Sequence, residues 1–168
     1  MLIQDKIGNL ANYEPADRTI DWLPLEWFET SKRILSKRTR AGKEVTLKFL
    51  NRNPGHSEGD ILIAGTLHII AIEIIPCNCI VLLPGSMQEM AALCYEIGNK
   101  HLPLFFEQGQ LLVPFDNPLY KLLRGQGYNV KQENRKLLNP LKTTVPAHGG
   151  SGGESLFTKI MNLKTPAS

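Results

Sequence analysis

Cysteine is scarce: three in 168 residues. An odd, thinly spread set cannot supply a disulfide framework and points to a reducing compartment, the cytoplasm. Long apolar runs are also missing. The greasiest window, Ile61 to Ile75, is broken by Gly65, His68 and Glu73. It falls short of the roughly 20 apolar residues that cross a bilayer, so no membrane span is expected. The stretch Met1 to Leu10 lacks a basic start, an apolar core and a small-residue cleavage site, which argues against export. A net excess of one charge is nearly absent: 19 Lys+Arg against 16 Asp+Glu leave only +3, too mild to mark a nucleic-acid binder. No period of 20 to 50 residues repeats, which excludes a solenoid or propeller. Nor does G-x-S-x-G, H-E-x-x-H, a Walker loop or G-x-G-x-x-G occur. Catalysis has no recognisable machinery here, and the expectation is a protein that is not an enzyme.

What remains is ordinary globular composition, 42% apolar and 21% charged, in a length that suits one domain or two small ones. Before Pro76 the signal is mostly strand: Met1 to Ile7, Val45 to Leu50, Ile61 to Ala64 and Leu67 to Ile75. Val45, Leu47 and Phe49 alternate with Thr46 and Lys48, the period of a half-buried strand. Turn clusters at Ala41-Gly42-Lys43 and Asn51 to Gly55 separate these runs. A small all-β module over residues 1–76 is expected.

After Pro76 the expected order is strand, helix, strand, strand, helix, strand. Ile80 to Leu83 is a strand closed by Pro84-Gly85. Ser86 to Glu89 reads as a capping box, with Glu89 returning to the Ser86 amide. Met87, Met90, Ala91, Cys94 and Ile97 then mark one helix face, and Gly98-Asn99 the left-handed stop. Leu102 to Glu107 and Gln110 to Phe115 read as a hairpin turning at Gln108-Gly109. Asp116-Asn117-Pro118 opens a second helix with Leu119, Leu122 and Leu123 as its apolar face. Tyr128 to Gln132 is the last strand. This βαββαβ order is ferredoxin-like, so the fold class is α+β. Residues 77–142 form the second domain, and 143–168, with its Gly-Ser-rich stretch from Pro146 to Gly153, a flexible tail.

Four histidines are candidate ligands. His68, in an apolar strand, reads as structural, and His56, in a Pro-Gly loop, as a solvated loop residue. His101 falls at a helix-to-strand corner before Pro103, where a rigid frame presents its imidazole outward, although a histidine there can also serve helix carbonyls and the dipole. His148 lies in the Gly-rich tail. Cys77 and Cys79 share a strand face, but a lone C-x-C without further ligands is weak metal evidence. Cys94 reads as a core residue. The basic run Lys32, Arg33, Lys37, Arg38, Arg40, Lys43 and Lys48 has no interleaved stacking aromatics. It fits a solvated face or an acidic protein partner better than nucleic acid.

Tyr95-Glu96-Ile97-Gly98-Asn99-Lys100-His101-Leu102-Pro103 resembles the Y-x-L-G-N-R-H-x-P segment of the UreE family of urease accessory proteins, with Lys100 keeping the charge of the usual Arg. Leu25-Glu26-Trp27, Lys32 to Arg40, Gly42 to Val45 and Glu58 to Leu62 resemble that family's N-terminal β domain. The resemblance covers most of the chain up to about Leu141.

It implies a homodimeric nickel metallochaperone with a peptide-binding-like first domain and a ferredoxin-like second. Two copies of His101, one per subunit, would bind Ni(II) and pass it to urease assembly through an accessory GTPase and the urease apoprotein. Many relatives add an H-x-H at the second helix, where this chain has Phe115-Asp116-Asn117, and some a His-rich tail. His148 is thus the one auxiliary candidate. Neutral imidazole suits nickel, zinc and copper alike, so Zn(II) and Cu(II) are expected to bind in vitro. Binding through imidazole should weaken as pH falls through roughly 6.5. The competing expectation is a metal-free interaction module that acts as a scaffold in urease maturation through its basic β domain.

Overall fold

A computed structural model of the chain describes residues 1–50 and 55–141. It is an α+β structure, and among these residues no helix is long and apolar enough to cross a membrane. The first half is all β: β1 (Leu2–Ile3), β2 (Gly8–Asn9), β3 (Thr19–Leu25), β4 (Ile34–Arg38), β5 (Glu44–Lys48), β6 (Asp60–Ala64) and β7 (His68–Ile74). They form two sheets, ordered β1-β5-β4 and β2-β6-β7-β3. The sheets share a core of Leu23, Leu25, Val45, Leu47, Ile70 and Ile72, the inward residues of alternating strands.

Two of these strands depart from the expected list. β3 pairs in parallel with β7 along all seven residues, and β4 pairs with β5. In β3 a buried Asp21 replaces an apolar inward residue and Pro24 interrupts the run, which hides the alternation. Asp21 is tolerated because its Oδ1 accepts from the Ala41 amide at 3.0 Å. Pro24 is tolerated because β3 is an edge strand. In and just before β4, four of the seven residues Lys32 to Arg38 are basic, which masks a strand pattern. Of the expected strand Met1 to Ile7 only Leu2–Ile3 forms, as β1; β2 follows just beyond it, on the other sheet.

The second half follows as β8 (Cys77–Leu82), α1 (Met87–Asn99), β9 (Phe105–Glu107), β10 (Gln110–Pro114), α2 (Asn117–Gly125) and β11 (Val130–Arg135). The antiparallel sheet has order β11-β8-β10-β9, the ferredoxin-like arrangement. Gln108 and Gly109, with φ of 47° and 80°, make the two-residue β9–β10 turn, whose paired positive φ values match the twist of a hairpin. One sheet face buries Ile80, Leu82, Leu111 and Val113 under Leu93 and Ile97 of α1 and Leu119 and Leu123 of α2. The other face carries Cys79, Val81, Phe105 and Leu112, with Trp27 of the β module packed on it. Trp27 meets Phe105 edge-on at 5.8 Å, and Lys136 reaches Glu58 at 2.7 Å. A non-polar contact and an ion pair thus join the two halves.

Candidate functional site

His101 owes its place to α1. Ser86 caps the helix, its hydroxyl accepting from the Glu89 amide at 3.1 Å. The Glu89 carboxylate returns to the Gly85 amide at 2.6 Å, not to Ser86, so the box closes one residue further out than expected. The buried side is Leu93 and Ile97, with Met90 and Cys94 at its border. Met87, 83% exposed, and Ala91 lie outside it, so the apolar face is rotated from the expected one. Leu93 decides the rotation by filling the gap over β8 and β10.

The helix also ends later than Gly98-Asn99. Gly98 and Asn99 remain helical, Lys100 is the C-cap at φ −84°, and His101 itself takes the left-handed conformation at φ 54°. The His101 amide donates to the Gly98 carbonyl at 2.9 Å. This is the position after a helix end where glycine is the usual occupant. Ile97 before it and Leu104 after it are both buried, so the corner is pinned on either side. The imidazole between them is exposed. Lys100 turns back along the helix to Glu96 at 3.3 Å. Met87, Ala91, Tyr95 (74% exposed) and Gly98 follow one another at helical spacing and lead to His101. They form an outward stripe on a helix already packed on its other side.

The remaining sequence candidates scatter. His56 was expected in solvent but is only 4% exposed, edge-on to Phe49 at 5.0 Å. Neither ring nitrogen has a hydrogen-bond partner. Burial, and then the Lys6 charge, hold its pKa below the ordinary imidazole value. His68, expected as a structural residue of an apolar strand, does fall in β7 but at its exposed first position, beside a hollow lined by Asp21, Arg40 and Lys43. Cys77 and Cys79 do share a face, against Val81, Phe105 and Leu137. Burial, and then Cys77, push the Cys79 thiol up to about 11. Burial also raises Cys77 and Cys94. Thiols held protonated are poor ligands and nucleophiles. His148 lies outside the described residues. Among those described, no three His, Cys, Asp or Glu side chains cluster where they could hold a metal ion. Among the described residues His101 is thus not part of any such cluster within one chain.

A cleft of about 700 Å3 between the two halves was not anticipated from sequence. Trp27, Phe28, Phe105 and Pro140 wall it, with His56 and Glu58 on its polar side. The adjacent Trp27-Phe28 pair, with Phe28 half exposed, was the available signal.

Comparison with known proteins places this geometry. Residues 3–74 match the family model of the N-terminal domain of UreE urease accessory protein, and residues 75–153 that of its C-terminal domain. A urease accessory protein UreE of Flavobacterium johnsoniae is 42% identical over 163 residues, spanning 97% of this chain and 99% of that relative. One from Helicobacter pylori is 36% identical over 148 residues, covering 86% and 87%. One from Actinobacillus pleuropneumoniae is 35% identical over 145 residues, covering 84% and 78%. With two family models abutting at residues 74 and 75 and such coverage in both directions, the chain belongs to the UreE family of urease accessory proteins.

Proposed function

We propose that this chain acts in urease maturation as a nickel-binding metallochaperone, carrying Ni(II) as cargo rather than as a resident cofactor, and that it is not an enzyme. The carrying observation is His101, an exposed imidazole held in a left-handed conformation at a pinned helix end where glycine would fit with less strain. A side chain kept against a backbone preference is more readily explained by function than by folding.

A single imidazole cannot hold an ion tightly, so the site is completed by a second copy of the chain. The Met87-Ala91-Tyr95-Gly98 stripe supports this, because a self-complementary contact along it would bring two His101 side chains near one two-fold axis. Nickel bound by two imidazoles keeps open coordination positions and leaves by ligand exchange. The protonated cysteines would not compete for it. His148 is an auxiliary ligand in this reading: Leu141, whose amide donates to the Leu104 carbonyl at 2.8 Å, is seven residues before it, a reach of roughly 23 Å when extended. Residues 77–142 are then the metal-binding and dimerising unit, 1–76 the docking unit, and 143–168 the tail. The acceptors are the urease accessory GTPase and the urease apoprotein, in the cytoplasm.

Calorimetric titration of the wild type and of His101→Ala with nickel, run beside a sedimentation measurement, is the test. Tight binding at one ion per dimer that disappears in the variant supports the carrier; unchanged tight binding refutes the assignment. The second reading, a metal-free scaffold, is favoured by the basic run on β4 and β5. It wins if nickel affinity is negligible while urease-maturation partners still co-purify.

A further inference from the structure

Glu96 stands where a helix disfavours it. α1 runs from Met87 to Asn99, so Glu96 lies in the last turn, where the carbonyl ends carry the negative pole of the helix dipole. A carboxylate there is repelled by that pole, and the last turn holds no basic residue to offset it. Its ion-pair partner is Lys100, four positions on, at 3.3 Å. Both side chains are more than a third exposed. Exposed pairs at this spacing stabilise a helix by about as little as the dipole destabilises it. Folding alone therefore does not account for Glu96.

What Glu96 does is hold Lys100. That lysine is the C-cap of α1 and the neighbour of His101, their Cα atoms about 3.8 Å apart. The pair draws its ammonium back along the helix and neutralises it there. Among the described residues no other carboxylate lies within ion-pair distance of Lys100. Without Glu96, an uncompensated positive charge would stand beside the exposed imidazole. Two chains sharing one divalent ion would then set two such charges against it.

We propose that Glu96 is a positioning residue for the cargo ion: through its pair with Lys100 it keeps the surroundings of His101 electrically neutral, so that a divalent cation can bind there. Glu96 acts through Lys100 and not as a ligand. The inference rests on the reading of His101 as a nickel ligand and adds the residue that sets the charge beside it. Its size follows from Coulomb's law. Two unit charges about 10 Å from a doubly charged ion in water, at the roughly 30 Å Debye length of dilute salt, weaken its binding about five- to tenfold. In concentrated salt, where that length is about 3 Å, the effect falls below about twofold.

The probe is nickel chloride, titrated calorimetrically into the full chain at about 0.01 M and about 1 M potassium chloride. Glu96→Gln should bind nickel about five- to tenfold more weakly than the wild type in dilute salt, and within about twofold of it in concentrated salt. Lys100→Gln added to Glu96→Gln should restore wild-type affinity, because the corner is neutral again. The urea midpoint of Glu96→Gln in chelator should match the wild type, since the lost pair and the relieved dipole offset each other. A helix-stabilising role would instead lower that midpoint, and Lys100→Gln would not repair the binding. The proposal is overturned if Glu96→Gln binds as the wild type does in dilute salt, if its loss persists in concentrated salt, or if Lys100→Gln fails to rescue it. Wild-type binding that vanishes in His101→Ala beside an unchanged Glu96→Gln overturns this inference alone. Nickel binding that is absent from the wild type, or unchanged in His101→Ala, overturns the reading of His101 and this inference with it.

Discussion

Replacing His101 should separate backbone strain from metal binding. At φ 54° an ordinary L-residue pays roughly 1–2 kcal/mol. Histidine is several-fold enriched in this region over the average side chain, which brings its own cost down to about 1 kcal/mol or less. Alanine has no such relief, whereas glycine has no steric penalty but more unfolded-state freedom to lose. In chelator, the expected order of stability is His101→Gly at or above the wild type, and His101→Ala lowest. The gap between the two variants should be about 1 kcal/mol, because alanine where φ is positive costs more than its entropic benefit returns. For a chain of this size that gap is roughly 2–4 °C in Tm. Urea unfolding followed by far-ultraviolet circular dichroism reads it as a shift in midpoint with unchanged slope. Chelator is needed because nickel bound to the folded wild type would add its own stabilisation. Both variants should lose tight nickel binding, so the more stable variant is as inactive as the less stable one. If His101→Ala proves as stable as His101→Gly, the corner is not strained and the case for a functional imidazole loses its physical basis.

Other expectations concern the frame around that corner. Because the folded protein holds His56 below its ordinary pKa of 6.5, the unfolded chain takes up its proton first as pH falls. Stability should thus be full above about 6.5 and decline from there toward the lower folded value. His56→Leu, with no nitrogen to charge, should flatten this slope in urea midpoints measured from pH 7.5 to 5.5; an unchanged slope would place its origin elsewhere. Asp116 accepts from the Leu119 amide at 2.8 Å as the cap of α2, and Asp116→Ala should cost about 1 kcal/mol in the same assay. Leu93 is 1% exposed beneath α1, so Leu93→Ala should cost roughly 2–5 kcal/mol. A smaller loss would mean that α1 settles into the space.

The ferredoxin-like half was legible because its signals are local. Ser86 and Asp116 each cap a helix through an amide three residues away, and Gln108-Gly109 makes a turn that needs no distant partner. The β module was less legible. Asp21 on the inward side of β3 is acceptable only because Ala41, twenty residues on, donates to it. The β4 strand is a strand because β5 pairs with it, not because its basic sequence favours one. His56 was misplaced for a similar reason: Phe49 and the cleft wall bury it, and the loop residues beside it in sequence say nothing of that.

Residue types and their spacing alone determined an α+β chain with two halves meeting near Pro76 and a family resemblance centred on Gly98 to Pro103, and it is that resemblance which implies a ligand role for His101. Local hydrogen bonding and periodic burial act over a few residues, so sequence carries them directly. Tertiary structure decided which face of α1 is buried, that His101 rather than Gly98 takes the left-handed turn, and that His56 is interior while His68 is not. Those outcomes depend on which distant side chains and strands arrive at the same place, and the pairing of β3 with β7 or Trp27 with Phe105 exists only once the chain has folded.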